Sequence, residues 1–245
     1  MNDMTEYTFQ EVEVIRQKVS KILEQTVQDK KEITSLYSSV DPKSDARITA
    51  FSKLIDVFRS TELSFIFMSK YLMDKIWWHY VCQKPIDPTT PQTYIKGFDR
   101  FIKFGLVHGT FSCVESSIRV FIRALDPASC KGGLDNFKNI YKCLLRSKLS
   151  KPRPDYVELL HLFRLVRNTI HNNGVHFSKS GKDETITWKE TRYEFKQGEL
   201  VRGITWDFLL DTSDDVRLFL RSIVEDCKMK AISGEISDPA GPYGK

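Results

Sequence analysis

The chain has 245 residues and a mass of 28.5 kDa, which fits one large domain or one domain with appendages. Apolar residues are 41%, charged residues 28%, and there are only 12 Gly and 9 Pro; this excludes a disordered chain and a collagen-like repeat, and it is poor in the turn residues an all-β fold needs. Thirty-seven Lys and Arg against 32 Asp and Glu leave +5, a mild basic excess that permits a nucleic-acid partner without demanding one.

From about Phe9 to Leu36, Val12, Ile15, Val19, Ile22, Leu23 and Val27 recur at three- and four-residue steps. That spacing predicts an amphipathic helix, broken by Asp41-Pro42. A second helical pattern runs from about Ala46 to Cys82, with a bend expected near Ser60-Thr61, which would cap a fresh start. Lys84 to Pro91 holds three prolines in eight residues and reads as a loop. Tyr94 to Leu125 is again helical, and Gly105 and Gly109 on one face would let a neighbour approach closely, with the helix near 155–172 as the expected packing partner. After Asp126-Pro127 and Gly132-Gly133, a shorter helix is expected from about Leu134 to Leu149, stopped by Lys151-Pro152-Arg153-Pro154. The next spans about Asp155 to Asn172, and Asn172-Asn173-Gly174 suits a helix C-cap.

Beyond it the period changes from 3.6 to 2. Thr185-Ile186-Thr187-Trp188 and Arg192-Tyr193-Glu194-Phe195 alternate, so a small antiparallel hairpin or three short strands is expected at about 184–205. Asp211 to Asp215 offers N-caps for a last helix through Val216, Leu218, Ile223 and Val224, and 233–245 reads as a mobile tail. The fold expected is mostly α: a single helical bundle over 1–232 with long antiparallel helices and a β hairpin before the last one.

Met1 to Glu6 has no basic start and no apolar core of a secretory signal. Leu63 to Val81, the richest apolar stretch, is interrupted by Lys70, Asp74, Lys75 and His79, so no membrane partner is expected. Five scattered cysteines without a CxxC, among them Cys130, read as reduced thiols of a cytoplasmic protein. No spacing suits a metal, and the absence of a P-loop, GxSxG or GxGxxG leaves nucleotide hydrolysis, acyl transfer and dinucleotide binding without support. No cofactor is expected.

The positive charge is concentrated. From Tyr141 to Thr169, Lys142, Arg146, Lys148, Lys151, Arg153, Arg164 and Arg167 face only Asp155 and Glu158. Such a cluster can contact several phosphates, although a solvated surface has the same composition. At 100° per residue, Leu159, Leu162, Phe163, Val166 and Ile170 gather on one side of the helix, while His161, Arg164, Arg167, Asn168 and His171 gather on the other. Arg167 and His171, about 6 Å apart along the axis, can share one small anion. A guanidinium can grip a phosphate through two nitrogens, and an imidazole can move a proton near neutral pH; together they suit RNA cleavage without a metal. The plainer reading is the solvated face of an amphipathic helix. His176 is expected to lie exposed in a loop, and Trp77-Trp78-His79-Tyr80 to serve packing rather than base stacking.

Arg167-Asn168-Thr169-Ile170-His171-Asn172-Asn173-Gly174 resembles the arginine–polar–spacer–histidine signature of the HEPN superfamily, helical-bundle proteins widespread as ribonucleases in toxin–antitoxin and defence systems. Asn168 supplies the polar residue after the arginine. Three residues separate Arg167 from His171, and six separate Arg164 from it, against four to six in the family. Val114 to Arg119 resembles the helix beside the motif. The resemblance implies a metal-independent endoribonuclease with His171, Arg167, Arg164 and Asn168 as catalytic residues. It also implies a homodimer that joins two copies of the site, and an antitoxin or defence-system protein as partner. The RNA would run over Lys142, Arg146, Lys148, Lys151, Arg153 and Asn172. The alternative is a catalytically silent HEPN-like module that binds RNA or a protein.

Overall fold

Helix starts in this chain are set by side-chain acceptors. The computed structural model describes residues 7–82, 87, 89–128 and 136–239. In α1 (Phe9–Leu36) a capping box closes the first turn: Thr8 Oγ1 accepts from Glu11 N–H at 3.2 Å, and Glu11 Oε2 accepts from Thr8 N–H at 2.8 Å. Asp45 caps α2 (Ala46–Phe67), and Asn136 caps α5 (Phe137–Cys143). Pro154 stands at the first position of α6 (Pro154–His171), where its missing N–H costs nothing.

The expected bend at Ser60-Thr61 is absent. Thr61 and Ser64 hydroxyls donate to the carbonyls of Val57 and Ser60, so they stay inside the helix rather than starting a new one. The break falls later. The chain widens into a π turn over Met68–Leu72, and Asp74 Oδ1 then accepts from Ile76 N–H at 2.8 Å to open α3 (Lys75–Cys82). α4 (Thr89–Leu125) begins before the expected Tyr94, because Pro91 is tolerated in a first turn. The remainder of the proline-rich stretch, the Gly132-Gly133 connection, Cys130 and the start expected at Leu134 lie outside the described residues. A second π turn, Leu144–Lys148, follows α5.

β1 (Glu184–Trp188) and β2 (Thr191–Phe195) pair antiparallel, with Ile186 opposite Tyr193 and Trp188 opposite Thr191. Lys189 and Glu190, at φ 47° and 64°, form the two-residue turn. Residues 196–205 are not a third strand; only Val175 and Leu200 form an isolated bridge there. α7 (Trp206–Val224) starts well before Asp211–Asp215, capped by Thr205, and those acidic residues lie within it. A short α8 (Cys227–Lys230) ends the helical part. The class is mostly α with one small hairpin before the last helices.

α2 packs on α1 and α4, and α4 on α6 and α7. Phe58, Phe65, Ile118, Phe121, Phe163, Leu220 and Phe219 are buried at the centre. The expected packing of α4 against α6 is present, with Phe111 and Phe163 rings 6.0 Å apart. The glycines, however, serve a different neighbour. A Cβ on Gly109 would come within 2.8 Å of Val57 on α2, and Gly105 faces open space. No helix among the described residues is long and apolar enough to cross a membrane.

Residues 233–239, expected to be mobile, are tied down. Arg47 and Asp45 form a fully buried ion pair at 2.7 Å, and Arg47 also donates to the carbonyls of Ile232 and Gly234, both at 2.8 Å. Asp45 Oδ2 accepts from Ile236 N–H at 3.0 Å, and Asp238 pairs with Lys53 at 2.6 Å. A segment poor in apolar residues is thus held by polar bonds, which composition does not register. Residues 240–245 lie outside the described residues.

Candidate functional site

α6 is the helix on which the site depends. Val157, Leu159, Leu160, Leu162, Phe163, Leu165 and Val166 are all buried, so only a narrow strip of its circumference remains polar. Its end is a Schellman motif: Gly174 N–H donates to Thr169 O at 2.8 Å and Asn173 N–H to Ile170 O at 3.2 Å, with Asn173 and Gly174 at φ 55° and 88°. This C-cap is the one expected.

The polar strip does not act as one face. The hairpin crosses it and divides it into three. At the near end Glu184 reaches down from β1, accepting from His161 Nε2 across 2.9 Å and lying 3.5 Å from Arg164 Nη2. Burial is the largest influence on His161 and lowers its pKa, against the bond from Glu184, which raises it. Tyr141, buried beside Arg164, has its hydroxyl pushed up to about 12 by desolvation, which the guanidinium partly opposes.

In the middle lies a cleft of about 760 Å³ between α4, α6 and the segment 176–184. Arg164, Arg167 and Asn168 line it together, as their spacing predicts. Arg167 stacks over the Phe111 ring with Cζ 5.0 Å from the centroid, and its Nη1 donates to Asn168 Oδ1 at 3.1 Å. Its Nε is buried without a hydrogen-bond partner, as is that of Arg164. Among the described residues, no carboxylate forms an ion pair with Arg167. A guanidinium held over a ring, with donors unspent, is preorganised for an oxyanion.

At the far end His171 is exposed and does not line the cleft. It stands in the last turn of α6. The imidazole in the cleft wall is instead His176. Contrary to expectation it is buried, 1% exposed, packed 5.6 Å from the Phe195 ring, and neither ring nitrogen has a partner. An unsatisfied buried donor or acceptor costs about 1–3 kcal/mol, so this is an expensive arrangement to keep.

The residues of the expected RNA track differ in their surroundings. Lys148 is bonded to Asp126 at 2.7 Å, and Arg153 approaches Asp226 at 3.9 Å. Lys142 is partly buried, and burial first, then Lys138, lowers its pKa. Arg146, Lys151 and Asn172 are exposed. None of these six lines the cleft, whose further cations are Lys138, Lys179 and Lys182. Its carboxylates are engaged: Glu115 with Arg119, Asp183 with Gln197 N–H, and Glu184 as described. Sequence spacing missed His176, Phe177 and the three lysines. The alternation of Val175-His176-Phe177-Ser178 suits an extended segment but points Val175 and Phe177 inward, whereas His176 is buried and Phe177 is 56% exposed, so no local signal marks His176.

A larger cavity, about 1340 Å³, lies on the other side of the hairpin, framed by β2 and residues 199–204. Arg192 there is already paired with Glu194 at 3.1 Å, and Arg202 and Lys196 face only Glu199, so the lining carries one net positive charge. Among the described residues no group of three or more His, Cys, Asp or Glu side chains could hold a metal ion. Cys82, Cys113, Cys143 and Cys227 are free thiols; Cys113 is buried, which pushes its pKa up to about 12. No protein-family model, curated protein or solved structure matches this chain.

Proposed function

We propose that the chain binds an RNA phosphodiester in the α4–α6 cleft and cleaves it as a metal-independent endoribonuclease of the HEPN type. The observation that carries this reading is Arg167: stacked on Phe111, free of any carboxylate among the described residues, and opening with Asn168 onto the cleft. It holds the non-bridging oxygens and stabilises the charge that builds on them as the 2′-oxygen attacks. Arg164, partly neutralised by Glu184, positions the phosphate. His171 moves the proton. Because His171 stands outside the cleft, it must come to the phosphate from a second copy, so the working form is a homodimer with two such faces sharing a groove. A toxin or defence effector, controlled by an antitoxin or partner protein, is the biological setting that fits this chemistry.

A second reading is favoured by that same placement of His171: a module that binds RNA at Arg167 and Asn168 without cutting it, in the cytoplasm. Incubation of single-stranded and transfer RNA with the purified chain in EDTA separates the two. Cleavage is expected, and His171→Ala should slow it about 100-fold or more, the typical contribution of a positioned acid or base. Arg167→Ala should also abolish it, and lower the slope of log affinity against log salt by about 1. Intact RNA with retained, Arg167-dependent binding leaves the silent module. A solution mass of 28.5 kDa rather than twice that value, under conditions where cleavage proceeds, refutes the shared groove.

A further inference from the structure

The wall of the cleft opposite Arg167 is a short extended segment locked by backbone bonds. His176 N–H donates to Glu199 O at 3.0 Å, Gly198 N–H donates to His176 O at 2.8 Å, and Ser178 N–H donates to Gln197 Oε1 at 2.8 Å. Along an extended chain successive side chains point to opposite sides. His176 is therefore turned into the protein and Phe177 outward, 56% exposed, while both contribute to the same cleft as Arg167 and Asn168.

A single exposed phenylalanine is ordinary on a protein surface. This one differs in its surroundings. The ring is anchored by a bonded backbone rather than carried on a mobile loop, and it lines the same cleft as two arginines with unpartnered Nε atoms and a buried imidazole with two unpartnered nitrogens. A flat apolar ring beside unspent oxyanion donors matches the two halves of one nucleotide: a π face and a phosphate.

We propose that the cleft is a subsite for one unpaired nucleotide, with the phosphate held by Arg167 and Asn168 and the base stacked on Phe177. The inference rests on the phosphate-binding reading above and adds to it the class of nucleotide recognised. A base inside a duplex has both faces covered, so Phe177 selects for an unpaired one. His176 lies beneath, turned inward against Phe195 in the same cleft wall. Stacking tolerates all four bases, so little sequence preference follows from this residue.

The test uses the full chain and three probes: inorganic phosphate, AMP and a single-stranded RNA octamer, with the octamer's duplex as control. AMP should bind about tenfold tighter than phosphate. Phe177→Ala should erase that difference, Phe177→Trp should keep it, and Arg167→Ala should weaken both probes. The ring resonances of nitrogen-labelled His176 should shift with phosphate and AMP alike. The octamer should displace AMP, and the duplex should do so less well at equal phosphate concentration. Equal affinity of wild type for phosphate and AMP, an AMP preference that survives in Phe177→Ala, or an octamer that fails to displace AMP overturns the nucleotide subsite and leaves the phosphate reading standing. Failure of phosphate, AMP and octamer to bind in an Arg167-dependent way overturns both. The ring of Phe177 is exposed, so the alanine variant is expected to fold, and its melting temperature verifies this.

Discussion

Arg47→Met should destabilise the chain far more than a surface arginine would, and should release its C-terminal segment. Arg47 and Asp45 are both fully buried, and the guanidinium lies 4.0 Å from the Tyr37 ring centroid. Asp45 accepts from Arg47 Nε at 2.9 Å and Nη2 at 2.7 Å, and from the backbone N–H groups of Arg47 and Ile236. Methionine fills most of the volume but leaves the carboxylate with two backbone donors and no cation. Breaking a buried pair from one side costs about 3–5 kcal/mol. For a chain of this size each kcal/mol moves the melting temperature by about 2–4 °C, so a fall of about 6–20 °C is expected. The carbonyls of Ile232 and Gly234 lose their donors at the same time, so residues 233–239 should become sensitive to limited proteolysis before the bundle unfolds. Adding Asp45→Asn removes the stranded charge and should restore about 1–3 kcal/mol. Urea denaturation followed by circular dichroism measures all three proteins. A single variant within about 1 kcal/mol of wild type at unchanged slope, or a double variant weaker than the single one, refutes the account of this ion pair as the tether.

The turn and the hairpin contact yield two further predictions. Glu190→Gly should stabilise the chain by about 0.5 kcal/mol, because Glu190 is exposed at φ 64° and the relief of left-handed strain exceeds the entropy glycine adds to the unfolded chain; a lower urea midpoint would contradict this. Burial lowers the pKa of His161 below its ordinary 6.5, so below about pH 6.5 the unfolded chain takes up the proton first. The stability from its neutral form is therefore present above that pH and is lost as pH falls toward the folded pKa, at up to about 1.4 kcal/mol per pH unit. Glu184→Gln removes the bond that raises this pKa, so the loss should extend to lower pH; a urea midpoint whose pH dependence is unchanged in both Glu184→Gln and His161→Asn would show that His161 is not the titrating group.

Helices were legible where a short-range rule governs them. The Asn173-Gly174 end of α6 follows from local bonding needs and is legible in the residues alone. Boundaries failed where a local signal was overridden. Ser60-Thr61 looks like a cap, yet the Thr61 hydroxyl donates to Val57 O in the preceding turn, and the apolar stripe through Phe58 and Phe65 carries the helix on. Asp211–Asp215 looks like a start, yet Asp215 is inside α7 because the hairpin brings it partners: Trp188 Nε1 donates to it at 2.9 Å, and Lys189 pairs with it at 2.5 Å. Partners 27 residues away leave no trace in a local pattern. The same holds for the pair of Asp29 with Arg217 and Arg221, which joins α1 to α7.

The site was half legible for a reason rooted in length. Helical periodicity correctly places His161, Arg164, Arg167, Asn168 and His171 on one side of α6. From His161 to His171 that side is about 15 Å long at 1.5 Å per residue, whereas adjacent strands lie about 4.8 Å apart. A two-stranded ribbon laid across the helix therefore covers part of the row and cannot cover it all. Glu184 lands on the first two members and engages them, Arg167 and Asn168 open beside it, and His171 lies beyond the ribbon's reach. The segment that returns from the C-cap to β1 then has to pass the gap, and in doing so it brings His176 and Phe177 to the opening. Periodicity fixes which residues share a face, but what crosses that face decides which of them share a site.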